Sequence, residues 1–306
     1  MKKKKTLYLG LLSLCLLAVL LFAAPVKAQA AAFRQCSRNT KVGKYYIWTD
    51  YESNTVRISS SKSGNGTVLV NAAPGRTLNT GCISNGSTVY YIESGPYNAD
   101  YSYTGYINRV KTDGKGRVTV GTLKNASSPT AYYKGILYMD VYDKEPGPEL
   151  HTYHMDTKTG KSKRAIKYAC VREQNGPYLL AQPNSGAIGP LDTYIYNCKN
   201  GKTVRLTKNG GIAVFISKKV YYSEYTKGGG GPDSVLRVRS CSPSGKGKKT
   251  IVRAIKAEWL ERITSRYVYY RKMNERTSQW TYYRYDIKKK KAKKISADTY
   301  NKQVQG

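Results

Sequence analysis

The chain has 306 residues, with 52 Lys and Arg against 19 Asp and Glu, a formal net charge of +33, and 29 Tyr against 3 Phe and 3 Trp. A charge of that size says little about fold but favours anionic polymers or surfaces as partners. The two histidines, His151 and His154, stand three apart, so on a strand they face opposite ways, which argues against joint metal ligation and leaves a Ser-His-Asp triad little material.

Residues 1–30 read as an export signal. Lys2, Lys3, Lys4 and Lys5 form a charged head, residues 7–24 an apolar run, and Ala28-Gln29-Ala30 an A-x-A cleavage site. Leu14 precedes Cys15, where a lipid anchor calls for a small residue, so no anchor is expected. No later apolar stretch approaches the roughly 20 residues that span a bilayer. The expected product is exported, free or held non-covalently at the cell wall. Loss of Lys2, Lys3, Lys4, Lys5 and Lys27 with the signal takes the charge from +33 to +28.

The remainder, residues 31–306, reads as one domain built on a repeat. Ile47-Trp48-Thr49-Asp50 returns as Tyr90-Tyr91-Ile92-Glu93, Leu137-Tyr138-Met139-Asp140, Leu179-Leu180-Ala181-Gln182, Tyr221-Tyr222-Ser223-Glu224 and Tyr269-Tyr270-Arg271-Lys272. The second residues of these motifs are 43, 47, 42, 42 and 48 positions apart. A period in the forties, made of short apolar runs and Gly-bearing turns, predicts an all-β, six-bladed propeller with four antiparallel strands per blade. Each blade reads as an inner strand, a turn such as Asn85-Gly86, the marker strand, a variable loop, a third strand, a tight polar turn such as Asp113-Gly114-Lys115-Gly116, and an outer strand. Residues 250–262 carry Ile251, Ile255, Trp259 and Leu260 at near-helical spacing, but the repeat needs strands there and strands are expected. Either residues 33–37 or residues 301–305 are expected to complete the first blade.

Tyr46-Ile47-Trp48-Thr49-Asp50 followed by Val56-Arg57-Ile58, and Ile107-Asn108-Arg109 leading into Asp113-Gly114, resemble the YWTD repeat of low-density-lipoprotein-receptor-type propellers. The whole mature chain resembles secreted six-bladed propellers of Gram-positive bacteria, relatives of the TolB-type propeller. The resemblance implies a binding module and supplies no catalytic residues and no cofactor.

In such a blade, loops joining second to third strands share one rim, and turns joining third to fourth strands lie on the opposite face. Sorted this way, base collects at the turns, with Lys115, Arg117, Lys161, Lys163, Arg164, Lys246, Lys248, Lys249, Lys288, Lys289, Lys290 and Lys291. The rim collects Tyr51, Tyr97, Tyr101, Tyr103, Tyr142 and Tyr225, with Asp50, Glu93, Asp140 and Glu224 ending marker strands. A two-faced monomeric disc follows. Its basic face is expected to contact an anionic cell-wall polymer or membrane surface, and its Tyr-rich rim a glycan or protein. Nucleic acid fits the charge, but an exported protein meets it less often and no RNP-like or helix-turn-helix motif is present.

The mature cysteines, Cys36, Cys82, Cys170, Cys198 and Cys241, are odd in number and lack metal-type spacing. Cys36 and Cys82 are the pair expected to be close enough for a disulfide. No nucleophile elbow and no sialidase-type repeat is present. The remaining catalytic alternative is a carboxylate-dependent hydrolase or lyase acting on extracellular polysaccharide or peptide, using the four marker-strand acids at the channel mouth.

Overall fold

The computed structural model describes residues 32–142, 149–183, 191–231, 233–274 and 276–305; the expected export signal lies outside them. Short runs rich in Tyr, Val, Ile and Thr, the side chains that pack best on a pleated surface, form 24 strands in five antiparallel sheets. A two-residue strand, β1 (Arg34–Gln35), comes first. The next four, β2 (Lys41–Val42), β3 (Tyr45–Asp50), β4 (Thr55–Ser59) and β5 (Thr67–Asn71), make one sheet in chain order. β6 (Thr77–Ser84), β7 (Thr88–Ser94), β8 (Thr104–Lys111) and β9 (Val118–Lys124) make the second, with β1 added beside β6. β10 (Ala126–Tyr133), β11 (Ile136–Tyr142), β12 (Leu150–Asp156) and β13 (Ser162–Ile166) make the third.

The fourth sheet has seven strands rather than the expected four: β14 (Cys170–Asn175), β15 (Tyr178–Gln182), β16 (Leu191–Asn197), β17 (Lys202–Ile216), β18 (Lys219–Lys227), β19 (Val235–Cys241) and β20 (Lys249–Lys256). β17 runs for 15 residues. Its first half pairs with β16, from Asn197↔Lys202 to Thr193↔Thr207, and its second half with β18, from Ala213↔Tyr222 to Ile216↔Lys219. Gly210 and Gly211 permit the crossover: a Cβ at Gly210 would lie 2.2 Å from Thr193 Oγ1, and one at Gly211 would lie 2.6 Å from Ser223 Oγ. The six expected sheets are therefore five, because an outer strand continues into the next inner strand without a break. The last sheet is β21 (Trp259–Ile263), β22 (Tyr267–Asn274), β23 (Gln279–Asp286) and β24 (Lys291–Ile295), so residues 250–262 are two strands joined by a short connection at 257–258 rather than a helix, as expected.

Five apolar clusters among the described residues join consecutive four-strand groups. Ile47 and Val56 meet Cys82 and Tyr91, Ile92 and Ile107 meet Leu137 and Met139, and Tyr138 meets Leu179 and Tyr196. Leu180 and Ile195 meet Tyr222, and Leu236 and Val238 meet Leu260 and Tyr270. Side chains alternate across a strand, so the marker strands β7, β11, β15 and β18 each feed two clusters. Side-chain to backbone hydrogen bonds link successive inner strands: Asn79 Nδ2 to Ala126 O at 2.8 Å, Gln174 Nε2 to Tyr132 O at 2.8 Å, and Phe215 N to Glu173 Oε2 at 2.9 Å.

The ends depart from expectation. β1 pairs with β6, with Arg34 opposite Ser84 and Gln35 opposite Ile83, so residues 33–37 extend the second sheet rather than the first. Residues 301–305 belong to a helix, α1 (Ala297–Gln305). Ser296 caps it by accepting from Thr299 N at 3.3 Å. The helix lies on the last sheet: Tyr300, 1% exposed, packs against the rings of Tyr269 and Tyr282 at 6.4 and 4.7 Å. Arg262 donates to the carbonyls of Gln303 and Val304. No helix among the described residues is long and apolar enough to cross a membrane.

Candidate functional site

The basic turns lie where strand alternation puts them. In four units the third-to-fourth turn bonds to the first-to-second turn: Thr112 N to Ser87 O at 3.0 Å, Thr157 N to Gly135 O at 2.9 Å, Cys198 N to Pro177 O at 2.8 Å, and Ile287 N to Arg266 O at 2.9 Å. Lys134 and Arg266 thereby join the predicted bases. Lys115, Lys161, Lys163, Arg164, Lys246, Lys248, Lys249, Lys288, Lys289, Lys290 and Lys291 are all exposed. Two members of the predicted set are committed elsewhere. Arg117 donates to Glu93 Oε1 at 2.6 Å and to Asn71 O at 2.9 Å, and Lys248 donates to Leu206 O at 2.8 Å. Arg117 therefore belongs to the packing between the first two sheets rather than to a free cationic face.

Three of the four marker-strand acids are paired with arginines, and the fourth is held by burial. Glu93 is fully buried between Arg117 at 2.6 Å and Arg76 at 3.3 Å, and Arg76 stacks 3.3 Å above the Tyr106 ring. Glu224 is buried against Arg237 at 2.5 Å and Arg239 at 3.5 Å. Asp50 faces Arg57 at 3.7 Å, and hydrogen bonding from Ser53, with the Arg57 charge, holds its carboxyl below the usual range. Burial pushes Asp140 up to about 7, against the opposing pull of Arg172 and a bond with Cys170. Asp50, Glu93 and Glu224 thus pair with arginines, Asp140 is held toward its protonated form by burial, and none of the four lines the cavities described below.

The rim tyrosines divide. Tyr97, Tyr101 and Tyr51 are 66%, 65% and 54% exposed, whereas Tyr103 and Tyr225 are buried and Tyr142 is half-buried. Tyr103 pins its loop from beneath, with its ring 5.3 Å from that of Tyr97. The Tyr51 hydroxyl accepts from Gly81 N at 3.1 Å, tying the first sheet's loop to β6. Tyr101 holds a left-handed φ of 59°, a conformation that costs an aromatic residue energy and here keeps its ring in solvent. Of the expected rim tyrosines, Tyr51, Tyr97 and Tyr101 are therefore the exposed ones.

Cavities of similar volume open at several places among the described residues, and two of them bear on the expected sites. One of about 510 Å³ lies at the inner strands, lined by residues 32–35, Thr130 and residues 172–176. Most of its polar groups are engaged, since Gln174 bonds Tyr132 and Gly176, Glu173 accepts from Phe215 N, and Asn175 donates to Ser217 O, whereas the buried Thr130 Oγ1 has no hydrogen-bond partner among the described residues. The other, about 580 Å³, opens on the last sheet beside Arg266, Tyr267, Arg284 and the lysines of β24. Of its lining, Lys289, Lys291 and Lys293 belong to the basic turn and its flank that the sequence predicts. Arg284 was missed, though its alternation with Asp286 is the period-two signal of residues sharing a sheet face. Among the described residues no group of three or more His, Cys, Asp or Glu is placed to hold a metal ion.

No protein-family model matches the chain, and no curated protein matches it. Among solved structures, the β-propeller domain of the trilobed protease from Pyrococcus furiosus is 12% identical, covering 74% of this chain and 73% of that one at a TM-score of 0.47. An oligogalacturonate lyase from Vibrio parahaemolyticus is 9% identical, covering 86% of this chain and 78% of that one at 0.49. TolB from Acinetobacter baumannii is 12% identical, covering 81% of this chain and 62% of that one at 0.41. These are likenesses of backbone arrangement, and no ligand or activity passes from them to this chain.

Proposed function

We propose that the chain is an exported, non-catalytic binding module, a six-unit propeller in which β17 serves two units. Its lysine-bearing turns contact an anionic polymer of the cell envelope, and its Tyr97–Tyr101 loop, with Tyr51, presents a second surface to a glycan or protein. The observation that carries this reading is the division of charge. The marker-strand carboxylates of Asp50, Glu93 and Glu224 are paired with arginines, while the lysines of the hairpin turns are exposed. Among ion pairs between described residues, Lys124 with Asp100 is the one that uses a lysine. Exposed like charges at strand ends attract a polyanion and release its counterions on binding.

A carboxylate-dependent hydrolase would need two carboxyls about 5 to 9 Å apart in an open pocket, and the four acids that could supply them are buried or ion-paired. The test is retention of the exported chain on a polyanionic matrix across a salt series. Binding by this route weakens steeply with salt, and replacing Lys288, Lys289, Lys290 and Lys291 with Glu lowers the eluting salt concentration. Retention that ignores both salt and charge reversal overturns the proposal.

A further inference from the structure

We infer that the free face of the last sheet is a groove that holds a phosphodiester chain, a deepening that rests on the polyanion reading above. Directly opposed residues of antiparallel strands share a face. The register sets Tyr267 opposite Asp286 and Asp286 opposite Lys291, then Tyr269 opposite Arg284 and Arg284 opposite Lys293. These six therefore project from one side of the sheet. The alternate residues Tyr270, Tyr283 and Tyr285 pack into the cluster shared with β18–β20. Helix α1 covers the part of the free face around Tyr269 and Tyr282. Beside it the 580 Å³ groove stays open.

The groove gathers five cations, Arg266, Arg284, Lys289, Lys291 and Lys293, around one carboxylate, Asp286. That carboxylate is occupied, since it caps its own turn by accepting from Lys289 N at 2.9 Å and lies 3.8 Å from Arg266. The guanidiniums of Arg266 and Arg284 both sit over the Tyr267 ring, at 5.0 and 4.5 Å. Cation–π stacking holds a guanidinium by its flat face and leaves its N–H edge free to donate. The oxygens of a tetrahedral phosphodiester accept donors over a wider range of directions than the coplanar oxygens of a carboxylate, which suits the Arg284 fork, the outer edge of Arg266 and the ammonium groups of β24 converging from different sides. Lys291 and Lys293 are two residues apart, so their charges repeat along the strand at roughly 6.5–7 Å, which suits a chain of regularly spaced anions. Tyr267 is engaged by two guanidiniums and is not offered to a nucleobase for the stacking that single-stranded nucleic acid uses, so the groove favours a phosphodiester polymer without bases.

The experiment titrates labelled poly(glycerol phosphate) into the exported chain at low salt and reads anisotropy. It compares the unaltered protein, the groove double variant Arg284→Gln with Lys293→Gln, and the control Lys115→Gln with Lys161→Gln, which removes the same charge from other turns. Circular dichroism and Tm verify that each variant folds. The groove variant is expected to weaken binding at least about 10-fold, equivalent to about 1.4 kcal/mol, and the control less than about 3-fold. Equal losses in both variants overturn the groove while leaving the polyanion reading intact. No binding by the unaltered protein overturns both. Polygalacturonate bound as tightly as poly(glycerol phosphate) overturns the phosphodiester assignment, and single-stranded DNA bound as tightly overturns the preference for a chain without bases.

Discussion

The backbone amide of Cys36 donates to the carbonyl of Cys82 at 2.8 Å, continuing the pairing of β1 with β6 and setting the two cysteines opposite one another. Hydrogen-bonded antiparallel partners have Cα atoms about 5.5 Å apart, inside the range that a disulfide bridges. In this structure both thiols are free. Their mutual hydrogen bond and burial push the Cys36 thiol well up, so oxidation at neutral pH is slow without a disulfide-exchange catalyst. We expect chain recovered from an oxidising compartment to carry this bridge, lower in mass by about two protons and one thiol pair short in titration. The bridge should be worth roughly 2–4 kcal/mol, since it closes a long loop, and Cys36→Ser should lose both signatures. Full thiol reactivity in exported material would overturn the assignment.

Arg117 and Lys115 stand two residues apart in one turn, and the fold treats them oppositely. Arg117 compensates a fully buried carboxylate and Lys115 is exposed. Removing one partner of a buried pair leaves an uncompensated charge, at a cost of about 3–5 kcal/mol, here moderated because Arg76 remains beside Glu93. Arg117→Ala is expected to lower Tm by several degrees, and Lys115→Ala to leave it unchanged within about 0.5 kcal/mol. Denaturant unfolding of both variants checks the contrast, and equal midpoints would sink it.

Gly66 sits at φ +65°, where a Cβ would lie 2.5 Å from Trp48 Cη2 and 2.9 Å from Ile58 O. The tryptophan of the most literal marker motif thus packs over a glycine of the following turn, and Arg38 stacks on its ring at 4.9 Å. Gly66→Ala combines backbone strain with a clash against backbone and is expected to cost more than about 1 kcal/mol. Gly75→Ala, at a similar φ with open space around it, should cost only the strain. Thermal melts of the two variants separate the terms.

Strand positions were legible in the sequence because each unit repeats a turn chemistry and a marker strand. The phase of the marker was less so. Tyr91, Tyr222 and Tyr270 point into the cluster with the preceding unit, but Tyr138 and Leu180 point into the cluster with the following one. There Leu137 with Met139, and Leu179 with Ala181, take the preceding side. A slip of one residue exchanges the faces of a strand, and runs that are apolar on both faces carry no pattern to reveal it. The same double burial hid the fate of the rim: composition showed Tyr103 and Tyr225 as rim aromatics, while their packing depends on loops whose path the sequence leaves open. Glu93 and Arg117 were assigned to opposite surfaces because strand order fixes where a Cα lies, and an arginine side chain reaches well beyond that.

Asp140 supplies a pH test of this buried polar layer. Its Oδ1 is buried without a hydrogen-bond partner among the described residues, and burial raises the carboxyl to about 7 from an ordinary value of 3.8. Because the folded state holds the proton more tightly than the unfolded state, the contribution to stability is complete below about pH 4 and is lost as pH rises through 7. Within that window the loss is at most about 1.4 kcal/mol per pH unit. Asp140→Asn keeps the shape and removes the titration. The variant is therefore expected to gain on the unaltered protein as pH increases from 4.5 to 8, with the difference flattening above that. Denaturant midpoints of the two proteins, measured in parallel at half-unit steps, report the difference directly; curves that stay parallel across the range would place the Asp140 carboxyl in an ordinary, ionised state and remove the buried-acid account.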